Sequence, residues 1–474
     1  MLHSWFLLLP EICMLLFFPA AVLVEKYRKE ETSKTFFSIA QVSILSTIFF
    51  MILFYNKSAY PSLWQNTPLR TVFKIFTLLL AWTWLYLSSK WFLNKNRTSF
   101  NFYSVSFLFL FSLNMMAGSS SLLTLSISIT AICISLYLLI LRHWDIEKVR
   151  RISNLYVIYA FFFCCLLWCA TFLIYKQTGH FDYSGVNLFY TKTSQYSVIT
   201  LLSVLTIIAV LMFLLAMVPF HHWFLAFLSE GVLPVCGMIS LVPPLLYICT
   251  LIHLMSECFT PFYDFIVPVL LGFGGVSLVI GSLSANKENN IRKLFAFITI
   301  YCMGFTLIAL NNFSDQSIIA AFSYLIVTIL SFVGIYTTFL SMKSKGDYLS
   351  ELSAIKGFYH LRPYVSAALM IFMFSIIGMA PTLGFFGYLS VLNNLTNTLS
   401  WGKIILLIST LLFVANACLQ IIRTIYFETS SNKYDRTDKA IYICLFINIV
   451  IVLVSLINPT WLMHDILVIL GGVY

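Results

Sequence analysis

The chain has 474 residues, 60% of them apolar and only 10% charged, with a mean hydropathy of +0.92, whereas a soluble globular domain carries about 25% charged residues; this is the composition of an integral membrane protein. A formal charge of +10 and a pI near 9.0 raise nucleic acid as a partner until the charge is followed along the chain. The eleven cysteines are scattered, several inside apolar runs (Cys164, Cys165, Cys169), with neither a Cys-x-x-Cys pair nor Cys/His ligand spacing, so no disulfide framework and no metal site are expected.

The N-terminal run LHSWFLLLPEICMLLFFPAAVLV is longer than a signal-peptide core and lacks a small-residue cleavage site or an Arg/Ser-rich transit sequence. It reads as a first span, with Glu11 inside it. A spanning helix takes about 20 apolar residues, and the apolar runs predict spans near 4–24, 35–55, 71–89, 100–118, 121–141, 153–175 and 196–229. They continue near 234–256, 264–284, 294–311, 317–341, 363–395, 403–427 and 440–472. The fold class is therefore an all-α polytopic membrane protein of about fourteen transmembrane helices, one integral domain over 1–474. Two segments are too long for one straight span and carry a central proline, FLLAMVPFHHWFLAFLSEG around Pro219 and FSIIGMAPTLGFFGYLS around Pro381; both read as broken helices.

Basic residues should gather on the side from which the chain inserts. Loops after spans one, three and five hold Lys26, Arg28, Lys29, Lys34, Lys90, Lys95, Arg97, Arg142, Lys148, Arg150 and Arg151. Loops after spans nine, eleven and thirteen hold Lys287, Arg292, Lys293, Lys343, Lys345, Lys356, Arg362, Lys433, Arg436 and Lys439. These are 21 of the 28 basic residues, which puts both termini on the opposite face and explains the charge as topology, with no nucleic-acid role. The two broken segments, LLAMVPF and IIGMAPT, lie in corresponding places of two halves, the sequence pointer to inverted repeats with a polar path at the breaks.

The stretch ANKENNIRKLFAFITIYCMGF (285–305) resembles the antiporter-like membrane-arm subunits of respiratory complex I, themselves similar to cation/proton antiporters. LLPEI (8–12), LIYKQTGHFDY (173–183), MVPFHHW (217–223) with SEG (229–231), YLIV (324–327), ELSAIKGF (351–358) and GMAPTLGFFGY (378–388) follow in the order of the subunit 2 line of that family, subunit N in bacteria. The resemblance implies a membrane-arm subunit of NADH:ubiquinone oxidoreductase, which couples electron transport from NADH to ubiquinone to proton translocation. It implies N-terminal helices over 1–99, antiporter-like repeats over 100–256 and 264–427, and a C-terminal helix over 440–474. No redox chemistry or cofactor is expected in this chain; the complex uses FMN, iron–sulfur clusters and ubiquinone. The implied partners are other membrane-arm subunits, accessory subunits and bound lipids. With forty-five Phe suggesting an AT-rich organelle genome, the implied location is the mitochondrial inner membrane, multi-pass, basic loops on the matrix side and termini on the intermembrane-space side. The alternative is an independent cation/proton antiporter.

The resemblance also implies where protons should pass, and there this chain departs from the family. Thr130 stands where the fifth helix carries a glutamate, and Leu214, Pro244 and Tyr388 stand where the seventh, eighth and twelfth carry lysines. Leu and Pro cannot exchange a proton, and tyrosine with an ordinary pKa of about 10 is a poor carrier near neutrality; the subunit's own proton channel is thereby impaired. The remaining proton-path candidates are His221 and His222 after the first break, Glu11, Glu230, Lys293, Tyr388 and Thr130, since an ionisable group inside a membrane is a functional candidate by default. Against this, the histidines can bond carbonyls freed by Pro219, Glu230 can meet solvent, and Lys293 can serve topology. Lys74 is expected to snorkel to the interface, and His253 and Glu257, four apart, to pair at the surface.

Overall fold

The computed structural model describes residues 9–17, 32–55, 57, 62–94, 99–141, 147–193, 196–344, 347–429, 434–435 and 437–454. These are built of helices joined by short loops, with one antiparallel pair of two-residue strands, β1 (Lys343–Ser344) and β2 (Asp347–Tyr348). After a helix over 9–17 (α1) come α2 (Thr32–Leu53), α3 (Pro68–Asn94), α4 (Ser99–Ala117), α5 (Leu122–Leu141), α6 (Glu147–Thr178), α7 (Tyr183–Thr193), α8 (Val198–Leu214), α9 (His222–Glu230), α10 (Leu233–Leu241) and α11 (Pro243–Glu257). Then follow α12 (Tyr263–Ala285), α13 (Ile291–Ala309), α14 (Asp315–Ser341), α15 (Phe358–Leu361), α16 (Pro363–Ile377), α17 (Leu383–Asn397), α18 (Trp401–Tyr426) and α19 (Lys439–Val454). Among the described residues eight segments are long and apolar enough to cross a membrane: Pro68–Ser89, Leu122–Leu141, Ile152–Thr178, Leu233–Glu257, Thr260–Ala285, Ile291–Ala309, Asp315–Ser341 and Trp401–Tyr426. Shorter apolar helices run over Phe37–Leu53, Phe102–Ala117, Val198–Leu214, Pro363–Ile377 and Lys439–Leu453.

The chain divides into two compact units: the described residues up to Leu214 with Met238–Ile266, and Leu215–Gly237 with the described residues from Val267 onward. In the first, α11 is the inner helix, packed on α3, α4, α7 and α8. The loops at 62–67, 118–121 and 179–182 close over one end of this unit, with Gln65 N–H donating to Gly118 O at 2.8 Å, Ser120 N–H to Leu63 O at 3.2 Å and Tyr183 N–H to Ser120 O at 3.0 Å. The 258–262 connection joins them through Asn187, which donates to Glu257 O at 3.2 Å and accepts from Thr260 Oγ1 at 2.8 Å.

In the second unit α14 is central, packed on α13, α16, α17 and α19. Its connections sort into two ends. At one, Ile291 N–H donates to Ser350 O at 2.8 Å, Leu352 N–H to Asn289 O at 2.9 Å and Gly357 N–H to Thr424 O at 3.2 Å, and Lys356 pairs with Glu428 at 2.8 Å. This end carries the described basic residues Lys287, Arg292, Lys293, Lys343, Lys356 and Arg362; Lys345, Lys433 and Arg436 lie outside the described residues. At the other, Asn311 donates to Thr398 Oγ1 at 2.9 Å and accepts from Lys403 Nζ, while Asn394 donates to Ala309 O at 3.2 Å.

Membrane helices gain no hydrophobic term by meeting one another, so close backbone approach through small residues substitutes for it. Between α12 and α13 a Cβ added at Gly304 would fall 2.8 Å from Gly274 O, and one added at Gly281 would fall 2.9 Å from Phe297 O, whereas Gly272 on the same helix has open space around it. Gly304→Leu should therefore force the two helices apart and cost about 1–3 kcal/mol, read as a lowered denaturation midpoint of the detergent-solubilised protein. Gly272→Ala should stay within about 0.5 kcal/mol of the parent.

Candidate functional site

Three charged side chains are buried among the described residues, Glu11, Arg70 and Lys74, and all three belong to the first unit. Their placement follows from the entry to α3. Pro68 opens the helix, where its missing N–H is no loss, and Thr67 Oγ1 accepts the Arg70 amide at 3.4 Å. The residues before it fold back over the first turns: Trp64 lies against Gly118, where a Cβ would meet its indole nitrogen at 2.0 Å. This sets the indole over Lys74, with Nζ 4.4 Å from the ring centroid, a cation–π contact. Lys74 Nζ also donates to Asn66 Oδ1 at 2.8 Å. One turn nearer the helix start, Arg70 donates from one terminal nitrogen to both carboxylate oxygens of Glu257 at 2.8 Å, and from the other to Gln65 O at 3.2 Å. Arg70 is fully buried while the Glu257 side chain is 32% exposed. Glu11, on α1, is 4% exposed, and neither of its carboxylate oxygens has a hydrogen-bond partner.

Two sequence expectations are corrected here. Lys74 does not snorkel, because α3 begins at Pro68 and the loop ahead of it supplies Asn66 and Trp64 as partners within the protein. His253 and Glu257 do not pair at the surface, because α11 packs on α3 and turns Glu257 to Arg70. His253 is buried, with Nδ1 2.8 Å from Cys249 O.

At the first proline, α8 ends at Leu214 and α9 starts at His222. The intervening backbone places Ala216 at φ 54 and makes Val218–Pro219 cis. The freed Val218 N–H donates to Ser277 Oγ at 3.1 Å. His221 is buried with Nδ1 lacking a hydrogen-bond partner, and its ring lies 4.3 Å from that of exposed His222. Glu230 is exposed in the last turn of α9. Beyond it, Arg292 donates to Gly231 O at 2.9 Å and to Tyr348 O at 3.2 Å. Lys293 pairs with Glu288 at 2.6 Å, and its amide is accepted by the helix-capping Asn290 side chain.

At the second proline, α16 ends at Ile377, Gly378 adopts φ 78, Ala380–Pro381 is cis, and α17 starts at Leu383. Gly384 must be glycine, since a Cβ there would lie 1.7 Å from Ser375 O. Tyr388 fills the space beside Gly378 and donates from its hydroxyl to Ile376 O at 2.9 Å, satisfying a carbonyl released by the break. Its ring stands 5.2 Å from Tyr324 and 4.8 Å from Phe305.

Thr130 is half-buried and its hydroxyl donates to Ile127 O of its own helix at 2.8 Å. Leu214 is buried at the end of α8. Pro244 is buried in the first turn of α11, after a helix break at Val242. The break at Val242 escaped the sequence reading, although the Pro243–Pro244 pair is its signal. Arg70 and Lys74, four apart on one helix face, were the available signal for the buried cluster. No disulfide joins any of the eleven cysteines.

Tyr388→Phe should leave the Ile376 carbonyl unpaired and cost about 1–3 kcal/mol, lowering the denaturation midpoint. Proton translocation should not respond, because this hydroxyl is committed to a backbone carbonyl; vesicle acidification is the check.

Residues 119–414 match the family described as NADH:quinone oxidoreductase/Mrp antiporter, transmembrane. The chain is 24% identical over 362 residues to the NADH-quinone oxidoreductase subunit N of Rhodospirillum rubrum, covering 76% of this chain and 74% of that one. It is 28% identical over 265 residues to subunit N of Granulibacter bethesdensis, with 55% of each chain covered. In fold it is similar to a chain of respiratory complex I from Thermus thermophilus, with a TM-score of 0.80 at 17% identity over 96% of this chain and 98% of that one. It is likewise similar to a chain of the Mrp complex from Dietzia, with a TM-score of 0.79 at 14% identity over 97% and 95%. With helices interrupted at Pro219 and Pro381 in the chain order of the motifs and the family match covering more than half of its length, the protein belongs to the NADH:quinone oxidoreductase/Mrp antiporter family of transmembrane proteins.

Proposed function

We propose that the chain is the subunit 2 (subunit N) component of the membrane arm of an H⁺-translocating NADH:quinone oxidoreductase. The observation that carries this reading over an independent antiporter is the chemistry of the breaks. An antiporter working alone needs charged groups at its helix interruptions, and this chain keeps only the His221–His222 pair there, with buried Leu214, Pro244 and Tyr388 at the positions where the family resemblance implies lysines. The curated relatives named above support membership of the complex.

In this reading the chain spans the membrane about fourteen times. Residues 100–256 and 264–427 form inverted repeats, each containing one broken helix. The basic connections lie on the matrix side and both termini on the opposite side of a mitochondrial inner membrane. The sorting of Lys287, Arg292, Lys293, Lys343, Lys356 and Arg362 to one end of the second unit supports this orientation, and the Phe-rich composition supports the mitochondrial location. The reported relatives are bacterial, and the equivalent side there is the cytoplasm. Electrons travel through FMN, iron–sulfur clusters and ubiquinone in partner subunits; accessory subunits and lipids cover the apolar flanks. Thr130, Glu230 and Lys293 serve structure or surface in this reading, and His221 with its neighbour His222 is the ionisable pair at a break.

An affinity-tagged copy, extracted in mild detergent, should co-purify with NADH-dependent quinone reduction and with flavin. Recovery of the chain alone, together with cation/proton exchange when that preparation is placed in vesicles, would reject the proposal in favour of the antiporter.

A further inference from the structure

At the basic end of the second unit a polar cavity of about 890 Å³ lies beside the ends of α12, α13 and α18, with Lys287, Glu288, Glu351, Lys356, Arg423 and Glu428 among its walls. Backbone bonds hold it in shape. Ile291 N–H to Ser350 O and Leu352 N–H to Asn289 O pin residues 350–352 to the entry of α13, and Gly357 N–H to Thr424 O ties the same loop to α18. The charges around the cavity are unequally committed. Glu288 is paired with Lys293, and Glu428 with Lys356. Lys287 and Arg423 are exposed and have no ion-pair partner among the described residues. The exposed Glu351 carboxylate accepts from Ser353 Oγ at 3.0 Å and meets no cation among the described residues.

The helices that end at the cavity set its depth. The apolar segments Thr260–Ala285 and Trp401–Tyr426 are long enough to cross a membrane, so the residues just beyond them lie at headgroup level. Tyr359 and Tyr426, with rings 4.6 Å apart, stand at this end, and tyrosine gathers at that level. Here Asn286 ties α12 to α18, donating to Phe413 O at 2.9 Å and accepting from Asn416 Nδ2 at 3.0 Å. Along each of these two helices, exposed apolar side chains lead to one of the uncommitted cations. On α12 they are Val276 and Leu283, the latter four residues before Lys287; on α18 they are Ile405, Ile408, Leu412 and Leu419, the last four residues before Arg423. Spacings of three, four and seven keep each set on one helix face, and Leu412 lies about 17 Å along the axis from Arg423.

We propose that this cavity is a phospholipid site for an ethanolamine headgroup, with the phosphodiester held by Lys287 and Arg423, the primary ammonium by Glu351, and the acyl chains along the exposed apolar faces of α12 and α18. Both polar contacts are charge-assisted hydrogen bonds, the strong kind. A second anionic group in the headgroup would meet Glu351 as a like charge, and a trimethylated ammonium has no N–H to give it. A phosphate ester free in solution would use the same two cations and gain nothing from the apolar faces that lead to them. The inference needs α12 and α18 to span the membrane and does not depend on which subunits adjoin the chain, so its failure and that of the proposed function are separate results.

The test is native mass spectrometry of the tagged chain, with whatever partners co-purify, washed in lipid-free detergent. The preparation is titrated with dioleoyl phosphatidylethanolamine, phosphatidylcholine or phosphatidylglycerol, and separately with glycerophosphoethanolamine and inorganic phosphate. The parent should bind phosphatidylethanolamine more tightly than the other lipids. Lys287→Ala with Arg423→Ala should weaken that binding about tenfold, the factor that loss of a hydrogen bond to a charged group carries. Both side chains are exposed, so the variant should keep the parent's thermal midpoint. Glu351→Gln should still bind lipid but lose the preference for ethanolamine over choline, an effect that a loosened fold would not give. Unchanged affinity in the folded double variant overturns the proposal, as does a parent that binds the lipids alike. Should the double variant fail to fold, Glu351→Gln decides, and a retained preference for ethanolamine overturns it. Binding of glycerophosphoethanolamine or inorganic phosphate as tight as that of the lipid makes the ligand a soluble phosphate and rejects the lipid. A parent that takes up no lipid, with Lys287 cross-linked to a co-purified polypeptide, rejects it in favour of a protein contact.

Discussion

A backbone amide or carbonyl inside the hydrocarbon layer has no water to turn to, so every departure from the helical ladder must find a partner within the protein. Among the described residues the helical path is interrupted within apolar segments at 215–221, at Val242 and at 378–382. Each departure has its own compensation. Ser277 accepts the Val218 amide, Arg292 donates to Gly231 O just beyond the first break, and the Tyr388 hydroxyl bonds Ile376 O. At the middle one, two prolines open α11, and residues without an N–H leave fewer orphan donors to satisfy. The side chains at the interruptions are thus chosen for closing the backbone, and that requirement accounts for a tyrosine and a proline where a lysine could not do the same work.

The same constraint explains what could be read from the sequence. Apolar runs and central prolines are local properties, and so the helix ends near Pro219 and Pro381 and the family motifs were visible in composition and spacing alone. Lys74 shows where local reading ends. Placed on an apolar run beginning at residue 71, it lies close to an end and should reach for water. The helix begins instead at Pro68, and Trp64 and Asn66 come back over it because Gln65 bonds the turn at Gly118. That contact joins parts of the chain some fifty residues apart, and no periodicity in either segment announces it. Glu257 is similar, since its partner Arg70 lies 187 residues away and the nearer His253 bonds its own helix instead.

Glycine spacing carries a further lesson about packing. Gly274 and Gly304 bring α12 and α13 to backbone contact, and Gly384 brings α17 against the Ser375 carbonyl. At all three, the absent side chain sets the helix separation and so fixes where Tyr388, Ser277 and Tyr301 can sit. The aromatic cluster of Phe305, Tyr324 and Tyr388 follows from that spacing, filling with rings a volume that a flexible charged chain would leave partly empty.

Charge balance decides which buried groups can move a proton. Removing one member of a buried ion pair costs about 3–5 kcal/mol because the survivor is left uncompensated, so a solitary lysine at the end of α8 or the start of α11 would need a fixed counter-ion there. Residues 214 and 244 have neutral apolar side chains, and no charged side chain among the described residues is buried in the second unit. In the first unit Arg70 on α3 is paired with Glu257 on α11, and Lys74, one turn further on, is held by Asn66 and faced by the Trp64 ring. The buried cations are therefore tolerated where the fold supplies acceptors for them, and the second unit, which buries no charged side chain among the described residues, needs none.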